Sequence, residues 1–390
     1  MTKKRAKVAW SQVCLPKEEG GLGLRRATEC NNDALMRLLW EILTNKHSLW
    51  VSWCNLEILK GRTLWQVVPQ QSFSVTWKCL LRLRTLLATN LVYTIGHNSS
   101  WSLWHDPWFQ SIPLRERLGD RAIYDSGLPT DATISVVQQG SLWNWPLHVW
   151  QLRDINSACS NISFGQRDSI GWRKVGGAFS FRAAWTSLRS SAPVVTWAKV
   201  VWFSGAIPKH SFCLWLTFRR AHLTRDKLQS LGILQQSMCP FDCGQQETID
   251  HLFFECDYTK TVWSKVMELN NCPIPVAWNW DAIVTWALGH TIGRHFQRWM
   301  RRAGLAAAVY HCWRERNNRI FRQEAVSTNL LLARIIFDVA KKAALHLCIQ
   351  DTPSNRALVE NWEIGEAIFC QPSGNQQGAA QSGHTSASML

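Results

Sequence analysis

Three cysteines and one histidine fall within eighteen residues, Cys239, Cys243, His251 and Cys256, in the pattern C-x3-C-x7-H-x4-C. Thiolate sulfur and imidazole nitrogen are the donors that zinc prefers, and four of them complete a tetrahedral shell. A closed shell leaves no position for water or substrate, so the spacing predicts one structural Zn2+ rather than a catalytic ion. No other pattern in the chain offers comparable chemistry. It has no HExxH, no phosphate loop, no nucleophile elbow and no adjacent pair of aspartates. His105 and Asp106 adjoin without an identifiable nucleophile and read as turn residues. The Gly20-Gly21-Leu22-Gly23 run lacks the Lys-Ser/Thr of a phosphate loop and reads as a turn.

The elements that must position the four ligands are legible around them. A tight turn between Cys239 and Cys243 presents two thiols. A helix starting at Thr248 places His251 in its first turn and Cys256 near its end. Pro208 opens a helix at Lys209, with Phe212, Trp215, Leu216 and Arg219 at helical spacing. Thr224 caps a short helix ending at Gly232. The fold class expected is mainly α with small β elements (α+β): a helical, multi-segment chain containing a compact Cys3His zinc module. Residues 1–60 are expected to be helical, with Asn31 or Asn32 capping a helix whose apolar face is Leu35, Leu38, Leu39, Ile42 and Leu43. Residues 61–178 read as a mixed α/β region. In it a hairpin runs from Leu91–Ile95 through the Gly96-His97-Asn98 turn into Trp101–Trp104. A strand over 177–181 leads to a helix with Ala184, Trp185 and Leu188. Residues 179–275 hold the zinc module and 276–350 a basic helical region with an amphipathic helix from Leu330 to Leu347. Residues 351–390 are expected to form a disordered tail, rich in Gly, Ser, Gln and Ala from Gln371 onward.

Charge limits the partners. The chain has 43 Lys+Arg against 28 Asp+Glu, a net charge of +15. Such an excess favours a polyanion, with nucleic acid ahead of an anionic membrane surface. Candidate phosphate contacts are Lys209, Arg219, Arg220, Arg225, Arg294, Arg298, Arg301 and Arg302. The last four share one helical face, and the alternative for them is a solvated face without a ligand. The 24 Trp residues are expected chiefly in cores. The sequence shows no signal-peptide core and no apolar run long enough to span a bilayer. Its 13 Cys form no compact framework, which points to a reducing compartment, nucleus or cytoplasm, rather than secretion.

The zinc motif sits inside a longer ordered series: Trp197, Val201-Trp202, Pro208-Lys209-His210, Phe212, Trp215, Leu223-Thr224-Arg225-Asp226-Lys227-Leu228, the four ligands, then Trp263. This series resembles the zinc-binding region that follows the polymerase in plant LINE-type (non-LTR) retrotransposon reverse transcriptases. Val8-Ala9-Trp10, Cys14-Leu15-Pro16-Lys17 and Gly20–Leu24 resemble the segment just after the palm. Trp104–Trp108 and Gly177–Ser180 resemble the intervening linker, and Trp313–Phe321 the segment before a ribonuclease H domain. The resemblance covers roughly residues 5–350. It implies zinc held by Cys239, Cys243, His251 and Cys256, RNA or DNA as the partner, and other retrotransposon-encoded proteins as further partners. The polymerase Asp-Asp loop and the ribonuclease H carboxylates are absent, which implies a region without catalysis of its own. A zinc-stabilised scaffold for another protein, and a transposon remnant without selected function, are the alternatives.

Overall fold

The computed structural model describes residues 6–173, 177–273, 275, 277–345 and 349–370. The expected tail from Gln371 lies outside them, as does Leu347. The described residues are mostly helical, with two small two-stranded antiparallel sheets. They divide into two compact units, one of residues 25–192 and one joining residues 1–24 to 193–390.

In the unit of residues 25–192, the helix Ala27–Leu43 begins four to five residues before the expected asparagine cap and carries no side-chain cap. Its inward face is Leu35, Met36, Leu39 and Ile42, packed with Leu80, Leu87 and Trp172 of the same core. The local hairpin does not form. β1 (Leu91–Thr94) pairs instead with the distant strand Ser169–Trp172, in register Leu91↔Trp172 to Thr94↔Ser169. The cause is Asp168. Its carboxylate accepts the Gly96 N–H at 2.8 Å and the Ser100 N–H at 2.9 Å, so the turn after β1 is tied to residue 168. Leu103 and Trp104 are consequently buried in a separate apolar cluster, with the Trp104 indole donating to the Pro129 carbonyl. The second sheet pairs Gln138–Gln139 with Leu142–Trp143. The strand expected over 177–181 is reduced to a single bridge from Gly177 to Trp172. The helix Phe181–Leu188 then starts under a Ser180 cap.

The other unit is organised by one long helix, Phe296–Arg322. The helices Pro208–Phe218, Asp257–Leu269 and Thr328–Ala343 pack against it. Its Gly304 lets Val266, Asn270 and Trp362 approach closely. Val8, Val13 and Leu22 pack against this core, and the Trp215 indole donates to the Gly20 carbonyl at 2.8 Å. Order continues beyond residue 351. The helix Pro353–Asn361 is capped by Thr352, and Trp362 behind it is fully buried, so disorder predicted from 351 onward is corrected for residues 351–370. Low complexity begins only after these apolar anchors. Among the described residues no helix is long and apolar enough to cross a membrane.

Candidate metal centre

The turn carrying the first two ligands is built from local backbone chemistry. Cys239 N–H donates to the Gln245 carbonyl at 2.8 Å, and Met238 bridges to Gln246. Asp242 and Gly244 adopt positive φ of 59° and 75°, which folds the chain back between the thiols. The other two ligands lie on a π turn, His251–Glu255, rather than an ordinary α-helix. Thr248 Oγ1 accepts the His251 N–H at 3.0 Å, as a helix cap does. The Cys256 N–H then reaches the His251 carbonyl at 2.8 Å. This i→i+5 bond places residues 251 and 256 on one side of the turn, which the x4 spacing would not do in a regular α-helix. Cys256 finally ends the turn and starts the helix Asp257–Leu269.

The four donor atoms all lie within 4.8 Å of one another. Cys239 Sγ is 4.0 Å from Cys256 Sγ, and Cys243 Sγ is 3.1 Å from His251 Nε2. Tetrahedral zinc with bonds of roughly 2.0–2.3 Å has donor–donor edges of about 3.3–3.8 Å, so the set fits one ion with sub-ångström adjustment. Cys239, His251 and Cys256 are buried and Cys243 half-buried. The hydrogen bond from Cys239 pushes the Cys256 thiol down, while the same bond and burial push Cys239 up. Cys256 is thus the thiol readiest to ionise, while Cys239 keeps its proton until a metal displaces it.

Two arginines of the long helix fasten this module. Arg316 donates to both carboxylate oxygens of Glu247, at 2.7 and 3.0 Å, and both side chains are almost fully buried. Glu247 also accepts the Arg225 N–H at 3.0 Å. Arg319 stacks on Phe241 and Tyr258, with its guanidinium 5.0 and 4.7 Å from the ring centres. It also donates to Glu315 at 2.9 Å and to the Pro240 carbonyl at 3.4 Å. Sequence reading missed both roles. The available signal was an acid, Glu247, just ahead of the last two ligands, and an arginine pair spaced by three in the long helix.

The candidate phosphate contacts divide. Arg302 is buried, donates to the Gly293 carbonyl at 2.9 Å and lies over the Phe203 ring. Arg298 donates to the Ile292 carbonyl and Arg301 to that of His290. These three satisfy carbonyls at the C-terminal end of the helix Trp280–Thr291, the end that attracts cations. The expectation of one solvent-facing arginine stripe is thus corrected, and of its four residues Arg294 stays exposed. Lys209 pairs with Asp338 at 3.2 Å, and Arg225 donates to the Met238 carbonyl. Arg219 and Arg220 come together with Lys7 and Lys227 around one cleft, also lined by Val8, Ala9, Gln12, Ala221 and Leu223. Arg219 donates to Gln12 there, and Arg220 forms a bidentate pair with Asp250 at 2.8 and 2.9 Å. Lys7 and Lys227 were not anticipated as part of such a group.

Residues 179–263 match the family described as zinc-binding in reverse transcriptase, and that span contains all four ligands. Over 287 residues the chain is 26% identical to a protein of Arabidopsis thaliana named, provisionally, as a ribonuclease H protein; the match covers 68% of this chain and 44% of that protein. Over 102 residues it is 28% identical to an uncharacterized mitochondrial protein of the same plant, covering 26% of this chain and 66% of that one. The chain thus spans less than half the length of the first relative. The ordered motifs that resemble plant retrotransposon reverse transcriptases and the zinc-binding family match overlap on the segment that holds the Cys239, Cys243, His251 and Cys256 group.

Proposed function

We propose that this chain acts as a non-catalytic, zinc-organised nucleic-acid-holding region of a LINE-type reverse transcriptase. The observation that carries the reading is the cleft of Lys7, Arg219, Arg220 and Lys227 beside the zinc module. Four cations converge on one concave surface, where a phosphodiester backbone supplies matching charge. Burial lowers Lys227 from its ordinary value, so a phosphate there would meet a cation partly stripped of water. Asp250 holds Arg220 in place and offsets part of the charge. The absence of an Asp-Asp loop supports a holding role without phosphoryl transfer, because polymerase chemistry needs paired carboxylates for its metal ions.

The test is a binding series with labelled single-stranded RNA and duplex DNA at several KCl concentrations, alongside primer-extension and ribonuclease assays on the same zinc-loaded protein. Releasing counterions from four phosphates gives a log–log salt slope of about −3 to −4. Lys7→Ala with Arg219→Ala should flatten that slope by about 1 to 2. Binding that ignores salt, or that survives the double substitution with its slope intact, would count against the cleft. Extension or cleavage that tracks the purified chain would overturn the non-catalytic assignment.

A further inference from the structure

A second group of metal-type donors lies away from the cysteines. His210 is in the first turn of the helix Pro208–Phe218, His311 is midway along Phe296–Arg322, and Asp338 is on Thr328–Ala343. The two histidines are 1% and 3% exposed. Each Nε2 stands 3.1 Å from the same oxygen, Oδ2 of Asp338. One donor atom from each of the three residues lies within 4.8 Å of the others. Lys209 Nζ approaches Oδ2 from the open side at 3.2 Å, with about half of its side chain in solvent.

We propose that His210, His311 and Asp338 form a second metal site, taking one divalent transition ion of the zinc class. Two of its three edges already measure 3.1 Å, against roughly 3.3 Å for nitrogen and oxygen donors around tetrahedral zinc. The third edge, between the two imidazoles, must close by less than about 1.5 Å, which rotation of the rings supplies. The donors come from three packed helices rather than from loops, so their backbones are fixed before any ion arrives. An N2O set suits zinc, cobalt or nickel and leaves a fourth position for water. The Lys209 ammonium, 3.2 Å from Oδ2, now supplies the positive charge beside the partly exposed Asp338. Lys209 acts as a resident cation that the metal must displace, so it sets the affinity of the site. The chemistry differs from that of the Cys3His centre, because no thiolate takes part.

Cobalt titration of the metal-free, reduced full chain separates the two sites. The first centre should show thiolate-to-cobalt charge transfer in the near ultraviolet. A second equivalent should bind with weak visible bands only. Asp338→Asn and His311→Gln should lose the second equivalent and keep the first. Lys209→Met should tighten the second by about tenfold or more, because a like charge is removed from its edge. Asp338 is partly exposed, so the asparagine variant reports even if the buried histidine variant does not fold. A single equivalent in both the parent chain and Lys209→Met, each folded by circular dichroism, would overturn the proposal.

Discussion

Substituting Arg316 by Leu tests the account of what holds the zinc module to the long helix. The leucine keeps an apolar stem but removes both donors to Glu247, whose side chain is 0% exposed. Glu247 then retains the Arg225 N–H on Oε2, while Oε1 has no donor among its described contacts. Breaking one side of a buried ion pair costs about 3–5 kcal/mol, because the remaining charge stays out of water without its partner. The Leu223 carbonyl loses its 3.3 Å contact with the same guanidinium, which adds to that cost. Against a typical total stability of about 5–15 kcal/mol, this is a large fraction. Removing the charge as well should return part of the loss. Glu247→Gln combined with Arg316→Leu is expected to be less destabilised than the sum of the two single variants, by at least about 1 kcal/mol. Urea unfolding of the zinc-loaded chain, followed by tryptophan fluorescence, supplies all four corners of the cycle. Additive single losses, or an Arg316→Leu loss below about 1 kcal/mol, would refute the clamp.

Three further outcomes follow from the same geometry. Cys256→Ser should abolish zinc uptake by the Cys3His centre and unfold the surrounding module, since structural zinc contributes about 10 kcal/mol or more to small modules; zinc-per-chain analysis with near-ultraviolet circular dichroism checks it, and a folded, metal-free variant would contradict it. Burial holds His222 at about 3, with its Nε2 bonded to the Cys213 carbonyl at 3.1 Å. Its ordinary value is 6.5, so from pH 6.5 downward the unfolded chain takes up a proton that the folded chain refuses. Its contribution is complete above pH 6.5 and falls by about 1.4 kcal/mol per pH unit toward pH 3. His222→Gln should therefore show a shallower loss of stability between pH 6.5 and 5 than the parent chain, and parallel curves would exclude the effect. Gly21→Ala places a methyl carbon 2.0 Å from the Leu15 carbonyl oxygen, so the turn must shift. A loss of about 2 kcal/mol or more in thermal or urea unfolding is expected, and an unchanged midpoint would refute the close approach.

What could be read from the sequence was what local chemistry decides. The zinc ligands declare themselves by residue type and spacing, the helix at Pro208 by proline at its first position, and the dominance of helix by apolar periodicity. Pairings across long separations were not legible. Leu91–Thr94 carries a strand signature, but its partner at 169–172 is selected by the Asp168 carboxylate, some seventy residues away in sequence. The arginines of the long helix show the same limit. Periodicity gave Arg298, Arg301 and Arg302 a common face, yet the carbonyls at 290–293 end a helix beside that face and absorb the charge. Lys7 and Arg219 likewise meet only because residues 7–12 fold into the unit of residues 193–390.

The zinc centre and the basic cleft are joined by a single peptide step. His251 supplies a metal ligand, and Asp250 before it grips Arg220 with two hydrogen bonds. Arg220 itself has φ of +50°, a conformation that a non-glycine residue holds only when its surroundings fix it. One fixture is Asp250. Another is Lys227, whose ammonium donates to the Arg220 carbonyl. Like charges sharing one cleft repel unless acids lie among them or an anion binds. Asp250 is the bidentate partner of Arg220, Asp226 and Asp281 adding to it at longer range, and its position depends on the π turn that carries His251. A metal that fixes His251 therefore also fixes the acid that holds Arg220. On this argument the structural zinc contributes to a cationic surface that no zinc ligand touches.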